Sequence, residues 1–209
     1  MKKILIYGDS NVWGDNFYTK ERIPDDKQWP NILSKKLGSN YLILQEGLPG
    51  RIAGNYEIEK PYKNGKDTFI SIFRTSAPVD YVFIMLGTND LQKKYNKSKD
   101  DIINDLLWYE DTIKKQFEDI DDRKKYFVNN SMPKIVYILP ANFTDDFVFD
   151  KKSHDTRLEV IKYFKDNHNK EKYIILDDMP LFEDGIHLNY DGHKIVSDKV
   201  LEVINGKHI

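Results

Sequence analysis

Short apolar runs, each cut off by glycine, proline or a polar turn, alternate along this chain with stretches whose apolar residues recur at helical spacing. Ile4-Leu5-Ile6-Tyr7 reads as a buried strand that stops at Gly8-Asp9-Ser10. Tyr41–Leu44 is a second such run, leading into Gln45-Glu46-Gly47-Leu48-Pro49-Gly50-Arg51. Tyr81–Leu86 ends at Gly87-Thr88-Asn89-Asp90, Lys134–Leu139 ends at Pro140, and Tyr173–Leu176 supplies the fifth predicted strand. Trp29–Leu37 carries apolar residues at 29, 32, 33 and 37, a helical spacing closed by Gly38. Residues 52–66 are expected to be mostly irregular, and Phe69–Phe73 is read as helical, although so short an apolar run also fits a strand. Ser98 and Asp101 resemble a capping box, behind which Ile102, Leu106, Tyr109, Ile113 and Phe117 trace one face of a long helix. The charge-dense residues 119–125 are predicted as a solvated helix end and loop. Two more helices are predicted, from about His154 to His168 and from Tyr190 to about Asn205, the latter turning Val196, Val200, Val203 and Ile204 inward.

Strands that alternate with helices make crossover units, which imply a mostly parallel sheet covered on both faces. The expectation is one α/β domain of three layers over residues 1–209, with no linker, repeat or low-complexity tract dividing it. Hydrophobic residues at 40% and charged residues at 32% fit a globular protein with a strongly charged surface. Charge then removes several partners. The 32 basic residues nearly cancel 34 acidic ones, leaving a formal charge of -2 and no electrostatic case for nucleic acid or an anionic membrane. The absence of cysteine excludes thiol catalysis, disulfides and thiolate metal sites. No apolar stretch approaches membrane-spanning length, and Met-Lys-Lys runs straight into a short strand, so a cytoplasmic protein is expected.

The candidate chemistry sits where the strands stop. In an open parallel sheet, ligands bind beyond the C-terminal strand ends, and Ser10 stands at the end of the first one. Asp184-Gly185-Ile186-His187, just before the last helix, places a carboxylate within reach of one imidazole nitrogen and leaves the other free to take a proton from a hydroxyl. Asn89 can offer an amide N–H to a developing oxyanion, and Gly47 a backbone N–H where a side chain would block the approach. Each of these has a plainer reading as turn or cap chemistry, and His187, Asp191 and His193 admit a metal reading that fits no zinc signature. Jointly they provide nucleophile, base, orienting acid and two oxyanion donors, the set that acyl transfer needs, with no metal and no cofactor.

The blocks Gly8-Asp9-Ser10, Gly47, Gly87-Thr88-Asn89-Asp90 and Asp184-x-x-His187 resemble, in order and over nearly the whole chain, those of the SGNH (GDSL-type) hydrolase superfamily. The finer wording, Tyr7-Gly8-Asp9-Ser10 with Trp13-Gly14, Glu46–Arg51 and Ile84–Asp90, is similar to the arylesterase/acyltransferase branch. The resemblance implies an α/β/α sandwich of flavodoxin-like layering, and a serine esterase acting on small aryl or alkyl esters. In it Ser10 is the nucleophile, His187 the base and Asp184 the acid, with the N–H groups of Ser10 and Gly47 and the Asn89 side chain holding the oxyanion. Trp13, Phe143 and Phe147 are candidates for lining the acyl pocket or a lid, with core packing an equal reading for Trp13 and simple packing the plainer one for the two phenylalanines. The partner implied is a small-molecule ester, and a homo-oligomer is compatible with the branch. Two other readings stand beside this one: a carbohydrate O-acetyl esterase or acyltransferase using the same site, and a non-catalytic binding domain that retains the fold. Asn11 stands where the GDSL name has leucine, a flanking position expected to leave the triad untouched.

Overall fold

The computed structural model describes residues 1–145 and 147–206. Its centre is a five-stranded, all-parallel sheet in the order β2-β1-β3-β4-β5, formed by β1 (Lys2–Gly8), β2 (Tyr41–Gly47), β3 (Tyr81–Met85), β4 (Lys134–Ile138) and β5 (Tyr173–Ile174). The central runs are apolar without alternation because both faces of the sheet are covered. From β1, Leu5 and Tyr7 enter one core layer with Phe69, Phe73, Tyr109, Ile113 and Phe164. Ile4 and Ile6 enter the other, with Trp29, Leu33, Val196 and Val200. The first layer is closed by helices α3 (Gly65–Ser76), α4 (Lys99–Glu118) and α6 (Lys151–Asn167), the second by α2 (Trp29–Leu37) and α7 (Tyr190–Ile204).

Several elements depart from the sequence expectation. β2 is an edge strand, only half-buried along its length, with Leu42 at 38% exposure, where a buried strand was expected. β5, at the other edge, pairs over two residues only. The charged stretch expected as a helix end and loop is a helix of its own, α5 (Ile120–Tyr126), because the Asp119 carboxylate accepts from the Asp121 and Asp122 amides and caps it. α6 begins earlier than predicted, at Lys151, where Asp150 and Ser153 form a capping box. Ile204 is only partly buried at the end of α7.

Register brings the site together. Gly8 pairs with Gly47 on one side and Met85 on the other, so β1, β2 and β3 end side by side at one sheet edge.

Candidate active site

Ser10 opens α1 (Ser10–Trp13), a helix of one turn that the sequence pattern does not reveal. Four residues cannot sustain a helix alone, since nucleation costs more than one turn returns. This one is held from outside. The buried Asp9 side chain caps it by accepting from the Asn11 amide at 2.9 Å. The Asn11 carbonyl accepts from Trp29 Nε1 at 3.1 Å, that of Val12 from Gln45 Nε2 at 2.6 Å, and that of Trp13 from Arg22 Nε at 2.6 Å. Gly14, left-handed at φ 87°, closes the turn back onto the Ser10 carbonyl.

The His187 loop is tied to that helix. Ser10 Oγ lies 3.0 Å from His187 Nε2, and His187 Nδ1 lies 2.5 Å from Asp184 Oδ2. The second carboxylate oxygen, Asp184 Oδ1, accepts from the Ile186 and His187 amides, both at 3.0 Å, which fixes the loop around the acid. Asn11 does bear on this loop, against expectation. Its Oδ1 accepts from the Leu188 amide at 2.9 Å and pins the residue after His187 to the nucleophile's helix. Gly185 (φ +64°) closes the turn, and a Cβ there would meet Thr144 Oγ1 at 1.8 Å.

The electrostatics suit a base. Burial opposes the imidazolium of His187, but the Asp184 bond and charge, with Asp15 and Asp9 beyond, outweigh it and leave its pKa above the ordinary value. For Asp184, burial disfavours the anion, and the His187 bond and two amides prevail, holding its pKa below the ordinary range. Asp9 is pushed up to about 6, chiefly by burial.

The oxyanion candidates converge on the same edge. A Cβ on Gly47 would lie 2.3 Å from Trp13 N, 2.7 Å from Trp13 Cα and 2.8 Å from the Val12 carbonyl carbon, so only glycine lets β2 end directly beneath α1. Asn89 donates from Nδ2 to the Arg51 carbonyl at 3.0 Å, leaving its second amide N–H for a ligand. Neighbouring Asp90, buried and pushed up to about 6 chiefly by that burial, accepts from the Ala53 amide with both oxygens at 2.9 Å and from the Tyr56 hydroxyl. Arg51 lies beside the candidate site, and the sequence motif contained it without revealing its contacts. Buried and stacked 4.1 Å from the Tyr7 ring, it donates from Nη1 to the carbonyls of Gly8 (2.9 Å) and Glu46 (2.5 Å).

The pocket candidates divide. Trp13 is half-buried, one helical turn on from Ser10, with the Arg22 guanidinium 5.7 Å from its ring. Phe143 is 5% exposed and stacked on Phe149 at 4.2 Å and against His154 at 4.4 Å, so its place is in the core instead of on a pocket wall. Phe147 is 94% exposed with Lys93 5.9 Å from its ring, out on the surface of its loop. His193 points inward and accepts the Trp29 amide on Nδ1 at 3.2 Å. Among the described residues, no cluster of three or more His, Asp or Glu side chains is placed to hold a metal ion, and no helix is long and apolar enough to cross a membrane.

The sequence profile of the GDSL-like Lipase/Acylhydrolase family matches residues 4–200. The chain belongs to that family. It is a serine esterase of the SGNH type, and its fold is that of solved relatives. The inhibitor-bound M. smegmatis aryl esterase superposes with a TM-score of 0.82 at 22% identity, covering 99% of each chain. A carbohydrate acetylesterase from Sinorhizobium meliloti superposes at 0.79 with 21% identity, covering 97% of this chain and 100% of the other. A member of the lipolytic G-D-S-L family from Veillonella parvula DSM 2008 reaches 0.64 at 16%, covering 98% and 99%. No curated protein sequence matches the chain.

Proposed function

We propose that this esterase hydrolyses small acyl esters, aryl or alkyl, with Ser10 as nucleophile, His187 as base and Asp184 as orienting acid. The observation that carries the reading is the unbroken chain from Ser10 Oγ to His187 Nε2 at 3.0 Å and from His187 Nδ1 to Asp184 Oδ2 at 2.5 Å. With Nδ1–H committed to the carboxylate, Nε2 is the acceptor and takes the hydroxyl proton as Ser10 Oγ attacks the ester carbonyl carbon. The tetrahedral oxyanion is stabilised by the Ser10 and Gly47 amides and Asn89 Nδ2. His187 then returns the proton to the departing alcohol, leaving an acyl group on Ser10. Water, deprotonated by the same nitrogen, releases the acid and restores the serine. Trp13 flanks the acyl group in this reading, and the partner is a small-molecule ester.

The test is p-nitrophenyl acetate with the wild-type chain and Ser10→Ala. Turnover by the first alone supports the reading, while equal activity or equal inertness overturns it. The S. meliloti neighbour is named a carbohydrate acetylesterase, so acetylated sugars belong in the same screen. A strong preference for them over aryl esters would make sugar deacetylation the main reaction of this site.

A further inference from the structure

Asn89 would serve as an oxyanion donor only if its nitrogen, and not its oxygen, faces the reacting carbonyl. A primary amide is nearly symmetrical in shape, so a flip about its last torsion costs little unless hydrogen bonds forbid it. The Arg51 bond forbids it here, and a Gln92 bond reinforces that choice. The Arg51 carbonyl, an acceptor only, takes Asn89 Nδ2 at 3.0 Å. From the other side Gln92 donates Nε2 to Asn89 Oδ1 at 2.8 Å. Gln92 is itself held by the turn that presents Asn89, its amide donating to the Asn89 carbonyl at 3.2 Å. Arg51 in turn cannot drift, because its guanidinium is anchored on the Gly8 and Glu46 carbonyls.

We propose that Gln92 is a positioning residue for the reaction, locking the Asn89 amide so that its remaining N–H is aimed at the oxyanion. The inference rests on the oxyanion role of Asn89 proposed above. Gln92 acts through Asn89 and makes no contact of its own with the reacting atoms. The flipped amide, which Gln92 opposes, would put an oxygen lone pair where negative charge develops, so loss of the lock is felt in the transition state and not in the binding of a neutral ester.

The experiment is a double-mutant cycle on p-nitrophenyl acetate hydrolysis with Asn89→Ala, Gln92→Met and the double variant, each checked for an unchanged unfolding midpoint. Asn89→Ala is expected to lower kcat by about 10²–10³-fold. Gln92→Met, which keeps the side chain's length but cannot donate, should lower kcat on the order of 10-fold with KM within about twofold, and should cost nothing further in the Asn89→Ala background. Gln92→Glu adds a pH signature. Ionised, it can only accept and favours the flipped amide; protonated, it donates to Oδ1, so its kcat relative to wild type should recover as pH falls through the carboxyl's pKa. If Asn89→Ala is silent, the oxyanion reading falls and this proposal with it. If Asn89→Ala is severe while Gln92→Met is silent, or its effect persists undiminished in the double variant, the lock alone is overturned.

Discussion

Replacing Gly47 by alanine adds one methyl group beneath the nucleophile's helix. The new Cβ would sit 2.3 Å from Trp13 N, 2.7 Å from Trp13 Cα and 2.8 Å from the Val12 carbonyl carbon. Ordinary carbon contacts begin near 3.5 Å, so the two segments must part by roughly 1 Å. All three atoms are backbone, and no rotamer change relieves them. Moving the end of β2 instead would break its pairing with Gly8 and the Arg51 bond to the Glu46 carbonyl. The strain therefore falls on α1, which begins at Ser10. A displacement of about 1 Å would stretch the 3.0 Å Ser10–His187 bond past hydrogen-bond reach, and misplacements of that size cost about 10²-fold in rate. Overpacking should also remove about 1–3 kcal/mol of stability.

The substitution keeps the Gly47 N–H, so a loss of activity reports displacement and not a deleted donor. The assay is kcat/KM on p-nitrophenyl acetate, normalised by titration of reactive serine, alongside urea unfolding. Gly38→Ala is the control: its φ is positive, at +67°, so alanine is strained there, yet nothing lies within 4 Å of its built Cβ. That variant should lose stability with kcat/KM unchanged. A folded Gly47→Ala protein within threefold of wild-type kcat/KM would refute the argument that this glycine exists to let α1 approach.

Asp184→Asn should lower kcat by on the order of 10³–10⁴-fold, because an amide can donate to Nδ1 and so favours the tautomer whose Nε2 carries the proton; steady-state rates at matched stability check it. The raised His187 pKa sets the acid limb of the pH profile: only neutral imidazole accepts a proton, so kcat/KM should fall as pH drops through a value above 6.5. Asp15→Asn removes one raising charge and should move that limb to lower pH; a limb at or below 6.5 in the wild type would contradict the electrostatics. His193 is lowered to about 3, chiefly by burial, so the unfolded chain gains a proton below pH 6.5 that the folded chain refuses. Its contribution to stability is present above that pH and drains away as pH falls, by about 2 kcal/mol at pH 5, and His193→Gln should remove that part of the acid destabilisation in urea titrations.

What was legible in the chain followed from where burial is two-sided. β1 and β3 are interior strands, so their apolar runs are continuous and their ends were found close to where they lie. β2 reads the same way in sequence yet lies at the edge, because Tyr-Leu-Ile-Leu satisfies a half-covered strand as well as a covered one. The helix of Ser10 spans barely one period, and nothing in residue spacing can reveal a turn that its neighbours stabilise. The candidate set was legible because Ser10, Gly47 and Asn89 lie at or just past the ends of recognisable strand runs, and Asp184 and His187 just before a recognisable helix. Arg51, Gln92 and Asn11 were not, since what they do depends on which carbonyl or amide the fold brings opposite them. Phe143 was open between pocket and packing because an aromatic in a loop does not disclose which way it turns; Phe149 and His154 receive it.

A parallel sheet creates its own difficulty at the edge where ligands bind. Strand-end carbonyls there meet fewer ladder amides, and side-chain donors add to those that remain, such as the Leu48 amide on the Gly8 carbonyl and the Asn142 amide on that of Leu176. Two buried arginines meet this need in the same manner. Arg51 takes the carbonyls of Gly8 and Glu46 at the ends of β1 and β2, and Arg157 takes those of Pro140 and Leu176 just beyond β4 and β5. The guanidinium suits the task because it presents several donors in a fixed fork and stays charged when buried. Arg157 also pairs with the half-exposed Asp177, whereas Arg51 lies against the Tyr7 ring. Only Arg51 has its own carbonyl engaged by a residue of the site, through the Asn89 amide. The group that closes the sheet edge thus also sets the angle of the proposed oxyanion donor. For that reason a substitution at Arg51 is expected to change the candidate site along with stability, whereas the bonds of Arg157 run to Pro140, Leu176 and Asp177, none of them a candidate site residue.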